Sequence, residues 1–193
     1  MKSLSILIFL TMLLLPLAAL ADDCVSGDCR NGWGELHYTT GHKYTGEFKD
    51  GKMHGYAIMR GLGDRKLVGI WQNGEVVEGA LTYPDGHRYL GGWGQGTRDG
   101  HGILTYVDGR TYMGDFKVGK RDGHGVMKYP DGRVYTGAFK RGVRTGHGMM
   151  TYPDGRTYVG EFADGKRTGQ GVMILPNGRR LIGNFVDGKL IGK

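Results

Sequence analysis

The sequence predicts an all-β protein: an elongated single-layer antiparallel meander of stacked 23-residue β-hairpin units, preceded by a signal peptide. Three observations carry this. A five-residue motif returns at near-constant spacing, glycine fills 38 of 193 positions, and no stretch shows helical periodicity.

The first 21 residues stand apart from the rest. Lys2 precedes an apolar run from Leu4 to Leu15, and Ala19-Leu20-Ala21 closes it. A positive start, an apolar stretch and a small-x-small end describe a secretory signal peptide cleaved after Ala21, which predicts an exported protein, periplasmic or secreted. The run is shorter than the roughly 20 residues of a spanning helix, and Pro16 interrupts it. Residues 22–29 follow as an expected N-terminal disulfide loop. Cys24 and Cys29 are the only cysteines, and in an oxidising compartment a near-neighbour pair reads as a disulfide. Structural zinc needs four ligands, and no second pair exists.

Residues 30–193 carry the repeat. Taking Tyr44-Thr-Gly-Glu-Phe48 as reference, equivalent pentads begin at Leu67, Tyr89, Tyr112, Tyr135, Tyr158 and Leu181. That gives about six full units, with partial units at each end. Within one unit, Tyr112-Met-Gly-Asp-Phe116 alternates as a half-buried strand does, and a glycine-bearing turn follows. Gly123-His-Gly-Val-Met-Lys-Tyr129 alternates again before the turn Pro130-Asp-Gly-Arg133. Some 14 or 15 strands at about 4.8 Å spacing would extend roughly 70 Å.

Glycine weakens a strand unless something covers it. Gly114 lies between Tyr112 and Phe116 on one face, and Gly123 and Gly125 recur on the next strand. The rings are therefore expected to lie over bare backbone. The predicted repeat core is Tyr44, Phe48, Tyr89, Trp93, Tyr112, Phe116, Tyr135, Phe139, Tyr158, Phe162 and Phe185.

The pattern YxGxF/WxxGKxxGxGxxxYPDGxx, as in Tyr112–Val134 and Tyr158–Arg180, resembles the MORN repeat. The resemblance covers about residues 30–193. It implies an elongated antiparallel sheet, and a role as scaffold, self-association surface or phospholipid binder. Two units depart from the pattern. Leu67 replaces the tyrosine of its unit, which is one residue short at Val76-Val77-Glu78; in the unit before, the PDG turn is missing and Ala57 replaces a glycine. A local irregularity is expected around residues 57–80.

Motifs that imitate chemistry dissolve on inspection. GDFKVGKR at Gly114–Arg121 lacks the Ser or Thr of a phosphate loop and leads into a strand, not a helix. His101, His124 and His147 form a column, but equivalent positions one repeat apart sit about 10 Å from each other, too far to share a metal. Asp85, Asp108, Asp131 and Asp154 all occupy one turn position, so a structural cause explains them together. Ser26 is the single serine after residue 21. No catalytic, cofactor or metal site is expected, and an enzyme is disfavoured.

Charge is the remaining lead. Residues 22–116 hold 10 basic and 13 acidic residues, net −3; residues 117–193 hold 15 and 6, net +9. The excess falls in the turns opposite the PDG turns. Lys120, Arg121, Arg141, Arg144, Lys166 and Arg167 are the candidates for a basic stripe facing an anionic membrane or glycan. The alternative for that stripe is a solvated edge that discourages aggregation. The leading expectation is a protein-binding or scaffold module, with a protein partner or a second copy. Its last pentad, Leu181–Phe185, is expected to lack a partner strand. Nucleic acid is disfavoured for an exported chain.

Overall fold

A computed structural model describes residues 22–192; the expected signal peptide lies outside the described residues. Sixteen strands, from β1 (Asp23–Gly27) to β16 (Lys189–Gly192), form one antiparallel sheet in which every strand pairs with its sequence neighbour. The expected count of 14 or 15 is exceeded at the two ends. β1, inside the segment 22–29 expected as a loop, pairs with β2 (Gly32–His37). β16 pairs with β15 (Arg180–Val186) across a turn at Asp187-Gly188, so Leu181–Phe185 does have a partner.

One unit shows why these residues build hairpins. Between β9 (Thr111–Lys117) and β10 (Lys120–Lys128), Val118 and Gly119 both take positive φ, 47° and 75°. Two such residues make the turn whose twist matches that of the flanking strands. The connection to β11 (Val134–Lys140) is a tight turn closed by Gly132 N–H donating to the Tyr129 carbonyl at 3.0 Å, with Gly132 at φ 84°. Asp131 fastens that turn: its carboxylate accepts from the Arg133 backbone N–H at 3.1 Å and from Arg133 Nε at 2.7 Å. Asp108 and Asp154 do the same in their own turns, and Asp85 does so with His87.

Each tyrosine-led hairpin carries a bulge. Gly125 opposes Gly114 and Arg121 opposes Phe116, so Asp122, Gly123 and His124 face Asp115 alone. Extra residues leave backbone carbonyls without ladder partners. The Tyr112 hydroxyl supplies the missing donor, to the Asp115 carbonyl at 2.9 Å and the His124 carbonyl at 3.4 Å. Tyr44 and Tyr158 also donate to the carbonyl three residues on, Glu47 and Glu161, and their second acceptors are the carbonyls of His54 and Thr168, which correspond to Asp122 and not to His124. The ring itself covers the glycines. A methyl group on Gly125 would fall 2.5 Å from the Tyr112 ring, and one on Gly114 would fall 2.7 Å from its hydroxyl oxygen. The expected covering of bare backbone by rings is therefore present.

Leucine-led hairpins differ. Between β5 (Lys66–Gln72) and β6 (Glu75–Thr82), Ile70 opposes Glu78 and Trp71 opposes Val76, which leaves one extra residue where tyrosine units have two. The β15–β16 hairpin, led by Leu181, likewise has one, Ile191. A leucine has no hydroxyl to offer a stranded carbonyl, and both leucine units have the shorter bulge.

The rings interlock from unit to unit, edge to face. Tyr112 meets Phe116 of its own unit at 5.2 Å and Phe139 of the next at 5.0 Å. Such pairs contribute roughly 0.5–1.5 kcal/mol each beyond their buried area. The ladder breaks at Leu67, and the core divides there into one cluster from Tyr44 to Val76 and another from Tyr89 to Phe185. Trp93, expected in the core, is half-buried and touches both clusters. The irregularity expected at 57–80 comprises a buried Ala57, a 3-10 turn at Leu62–Asp64 in place of the PDG turn, and the short bulge.

Candidate functional site

The sheet has a ring face and an opposite face, and the predicted basic stripe belongs to neither as drawn. Arg121, Arg144 and Arg167, with Arg98, turn onto the ring face. The Arg121 guanidinium lies 5.7 Å above the Tyr112 ring and 5.4 Å above Phe139, and it donates to the Gly142 carbonyl in the next unit's turn. Arg98 donates to the Gly119 carbonyl at 2.6 Å, and Arg144 and Arg167 donate to the carbonyls of Gly165 and Gly188. Each arginine thus clamps one hairpin to the next by a charge-assisted hydrogen bond and cation–π contact. Met53 and Val76 occupy the equivalent place in the two N-terminal hairpins.

The other three predicted cations stay in solvent. Lys166 pairs with Asp187 at 2.8 Å, while Arg141 and Lys120 are exposed. Lys117, Lys120, Lys140 and Arg141 rim a shallow depression between neighbouring turns, with Asp122 among them. The Asp122 carboxylate accepts from the Arg141 backbone N–H at 3.0 Å, which holds its pKa below the usual carboxylate range.

Cys24 and Cys29 form a disulfide, with Cα atoms 6.0 Å apart. It ties β1 to the turn before β2, and a methyl group on Gly34 would meet Cys29 Sγ at 2.8 Å. His101, His124 and His147 lie on the face opposite the rings, where His101 Nδ1 sits 2.9 Å from Asp115. Among the described residues no three metal-ligating side chains converge. Beside the clamping arginines, the ring face carries the lead tyrosines. Burial pushes Tyr44, Tyr89, Tyr112 and Tyr135 up to about 12. In the turns, the backbone N–H two residues on lowers Asp108, Asp131 and Asp154.

The opposite face holds a feature that the sequence reading missed. The residue after each lead tyrosine or leucine falls into one row across the sheet. Val126 lies between Met113 and Thr136, Met149 between Thr136 and Val159, and Val172 between Val159 and Ile182. Toward the N-terminus the row continues through Ile103, Leu90, Ala80, Val68 and Ile58 to Thr45. Leu90, Met113 and Ile182 are more than half exposed. The signal was present as Thr, Val, Leu, Met, Thr, Val and Ile in successive pentads, a column alike in hydrophobicity and not in identity. On one flank run Lys43, Arg60 and Lys66 in direct register. On the other stand Trp33 and Tyr56, 58% and 69% exposed.

An open sheet that packs one face on itself and leaves an apolar row on the other defines a repeat platform. The MORN repeat model matches residues 44–61, 68–88, 89–109, 112–132, 135–155 and 158–179, and the chain belongs to the MORN repeat family. No curated protein sequence matches it significantly. Among solved structures it is similar to the TCP domain of Drosophila melanogaster SAS-4 (dCPAP) in complex with a proline-rich motif of Ana2 (dSTIL). That likeness has 19% identity and a TM-score of 0.53, and covers 86% of this chain and 92% of that one. The G-box domain of the microcephaly protein CPAP matches at 15% identity and TM-score 0.46, over 81% of this chain and 82% of that one. At 19% identity the likeness to the SAS-4 domain is one of fold alone.

Proposed function

We propose that the chain is an exported, non-catalytic platform that binds a protein segment on its open sheet. The observation that carries this is the row from Thr45 to Ile182: apolar side chains, interrupted by Thr136, on a sheet whose opposite face already holds the packing. Contiguous exposed apolar surface on such a scale marks an interaction site. The SAS-4 domain of similar fold is bound to a proline-rich motif, and a sheet of this kind offers the same opportunity here. The Cys24–Cys29 disulfide supports export, because such bonds persist in oxidising compartments. N-terminal sequencing of protein recovered outside the cytoplasm should begin at Asp22.

Selection from a random peptide library against the full chain tests the platform. Selected segments should lose binding when Leu90→Asp and Met113→Asp are introduced together. Selection of nothing, or binding indifferent to that pair, would retire the reading.

A second reading is favoured by one observation, the four cations around the depression at Lys120. It proposes attachment to an anionic lipid or glycan surface. Arg121, Arg144 and Arg167 cannot test it cleanly, since they clamp the sheet. Lys117→Glu, Lys120→Glu and Lys140→Glu together should abolish salt-sensitive sedimentation with acidic vesicles. Sedimentation unchanged in that variant ends the proposal.

A further inference from the structure

We infer that the N-terminal half of the face opposite the rings takes a proline-rich segment of another protein in polyproline II conformation, with acidic residues along one side. The inference rests on the platform reading and names the occupant.

Pitch comes first. A polyproline II helix has three residues per turn and rises about 3.1 Å per residue, so the same side returns every ~9.3 Å. Two strands of a sheet span about 9.4–9.8 Å. The face has this two-strand texture: Leu90 and Met113 stand 53% and 52% exposed, and Ile103 between them is lower at 37%. A segment crossing the strands would meet an equivalent groove at every turn and drift by less than roughly 0.5 Å each time. An extended strand, repeating its side every ~6.7 Å, loses step at once. So does an α-helix with its pitch of about 5.4 Å.

Chemistry agrees with pitch. Trp33 on β2 and Tyr56 on β4 (Lys52–Arg60) lie two strands apart on this face, one polyproline turn from each other. Aromatic-lined grooves are how such helices are held. Along the opposite flank, Lys43, Arg60 and Lys66 lie directly across from one another, and Arg88 continues the row beyond Thr82. None of these four has a carboxylate partner among the described residues. Like charges at cross-strand distance repel, and acidic residues on the segment would relieve them.

The shape of the row favours a line over a second copy. Thirteen strands at ~4.8 Å and a width of one side chain, about 10 Å, give roughly 600 Å². A stable protein–protein interface needs about 800 Å² from each partner. A linear segment can also follow the twist of the sheet, which a rigid partner leaves after a few strands.

The probe is a fluorescent peptide of six Pro-Glu-Pro triplets, titrated by anisotropy against the full chain. Two controls accompany it: the same triplets each followed by glycine, which breaks the pitch, and a version with Lys for Glu. The triplet peptide should bind, and each control at least ~tenfold more weakly. Trp33→Ala and Tyr56→Ala, both solvent-exposed positions, should each weaken binding ~tenfold while leaving the circular dichroism melt unchanged. Arg60→Glu should do the same to the Glu peptide and strengthen binding of the Lys peptide. Equal binding of the glycine-interrupted peptide, or indifference to Trp33→Ala, overturns the inference. If library segments bind through Leu90 and Met113 while the triplet peptide does not, the occupant is wrong and the platform stands. If no segment binds at all, both fall. Uptake by acidic vesicles lost on Arg60→Glu, without peptide binding, assigns the face to lipid and also overturns it.

Discussion

The tyrosine-led units from Tyr89 to Phe162 and the leucine-led unit at Leu67 are both antiparallel hairpins, and they differ in the lead side chain and in what goes with it. Where tyrosine leads, the following strand has two extra residues and the phenol donates to a carbonyl stranded by the bulge. Where leucine leads, there is one extra residue and no such bond. The clamping arginine follows the same division: Arg98, Arg121, Arg144 and Arg167 serve tyrosine-led hairpins, and Val76 replaces it in the Leu67 hairpin. Ring and bulge length therefore go together, and from Tyr89 onward the arginine joins them. The first unit is mixed, with Tyr44 and a full bulge but Met53 in the arginine's place.

Alkali should break the comparison most severely. Tyr89, Tyr112 and Tyr135 are pushed up to about 12, first by burial of the phenol. The folded state thus holds these protons more tightly than the unfolded chain, whose tyrosines titrate near 10. Stability is full below about pH 10 and lost as pH rises toward 12. The cluster from Tyr89 to Phe185 contains four lead tyrosines and the N-terminal cluster only Tyr44. Hydrogen exchange by mass spectrometry between pH 9 and 11.5, corrected for intrinsic rates, should show the C-terminal cluster losing more of its protection. Equal loss in both clusters would deny the tyrosines their role.

Truncation at single positions comes next. Tyr112→Ala should cost about 3–5 kcal/mol, since it removes a fully buried ring and uncovers two glycines. Leu67→Ala, at a half-buried position, should cost about 2 kcal/mol. Urea unfolding checks both, and a reversed order would show that the ladder is not the principal source of stability.

The coupling of ring to bulge is sharpened by a rescue. Tyr112→Leu leaves the Asp115 and His124 carbonyls without a donor, which should cost about 1–3 kcal/mol. Deleting Gly123 in that background converts the hairpin to the one-residue bulge found after Leu67. The double variant should regain about half the loss in urea, whereas the deletion alone, with Tyr112 kept, should destabilise. No recovery would make bulge length and lead residue independent.

What could be read beforehand follows from which forces act locally. Turn chemistry and spacing are local, so Pro130-Asp-Gly-Arg133 and the 23-residue interval gave the hairpins, and Tyr112 between bare glycines gave the covering ring. The arginines were misread because a charge count treats a guanidinium as solvated. Arg121 instead spends its charge on the Gly142 carbonyl and two ring faces, contacts that exist only once the next hairpin has docked. The bulge was hidden because apolar alternation on either side of Gly123 looks the same with or without slipped register. β16 escaped because Lys189–Gly192 is too short to carry a pentad. The apolar row was overlooked because Val68, Leu90 and Met113 share no identity, and a search for identical columns passes over them.

The smallest effect isolates the turn, which both kinds of unit share. Position one of the two-residue turn is Asp50, Asn73, Asp164 or Asp187 in four hairpins, at φ between 48° and 54°. Asn and Asp tolerate that left-handed conformation. Val118 adopts φ 47° at the same place, and a β-branched side chain is strained there. It is 69% exposed, so little packing is at stake. Val118→Asn should therefore stabilise the chain by about 0.5–1 kcal/mol, read as a higher urea midpoint with unchanged slope. Asn73→Val, the converse change in the leucine-led hairpin, should destabilise by a similar amount. Matching shifts of opposite sign would show that the turn contributes independently of the lead residue, so that the difference between the two kinds of hairpin lies in ring, bulge and arginine alone.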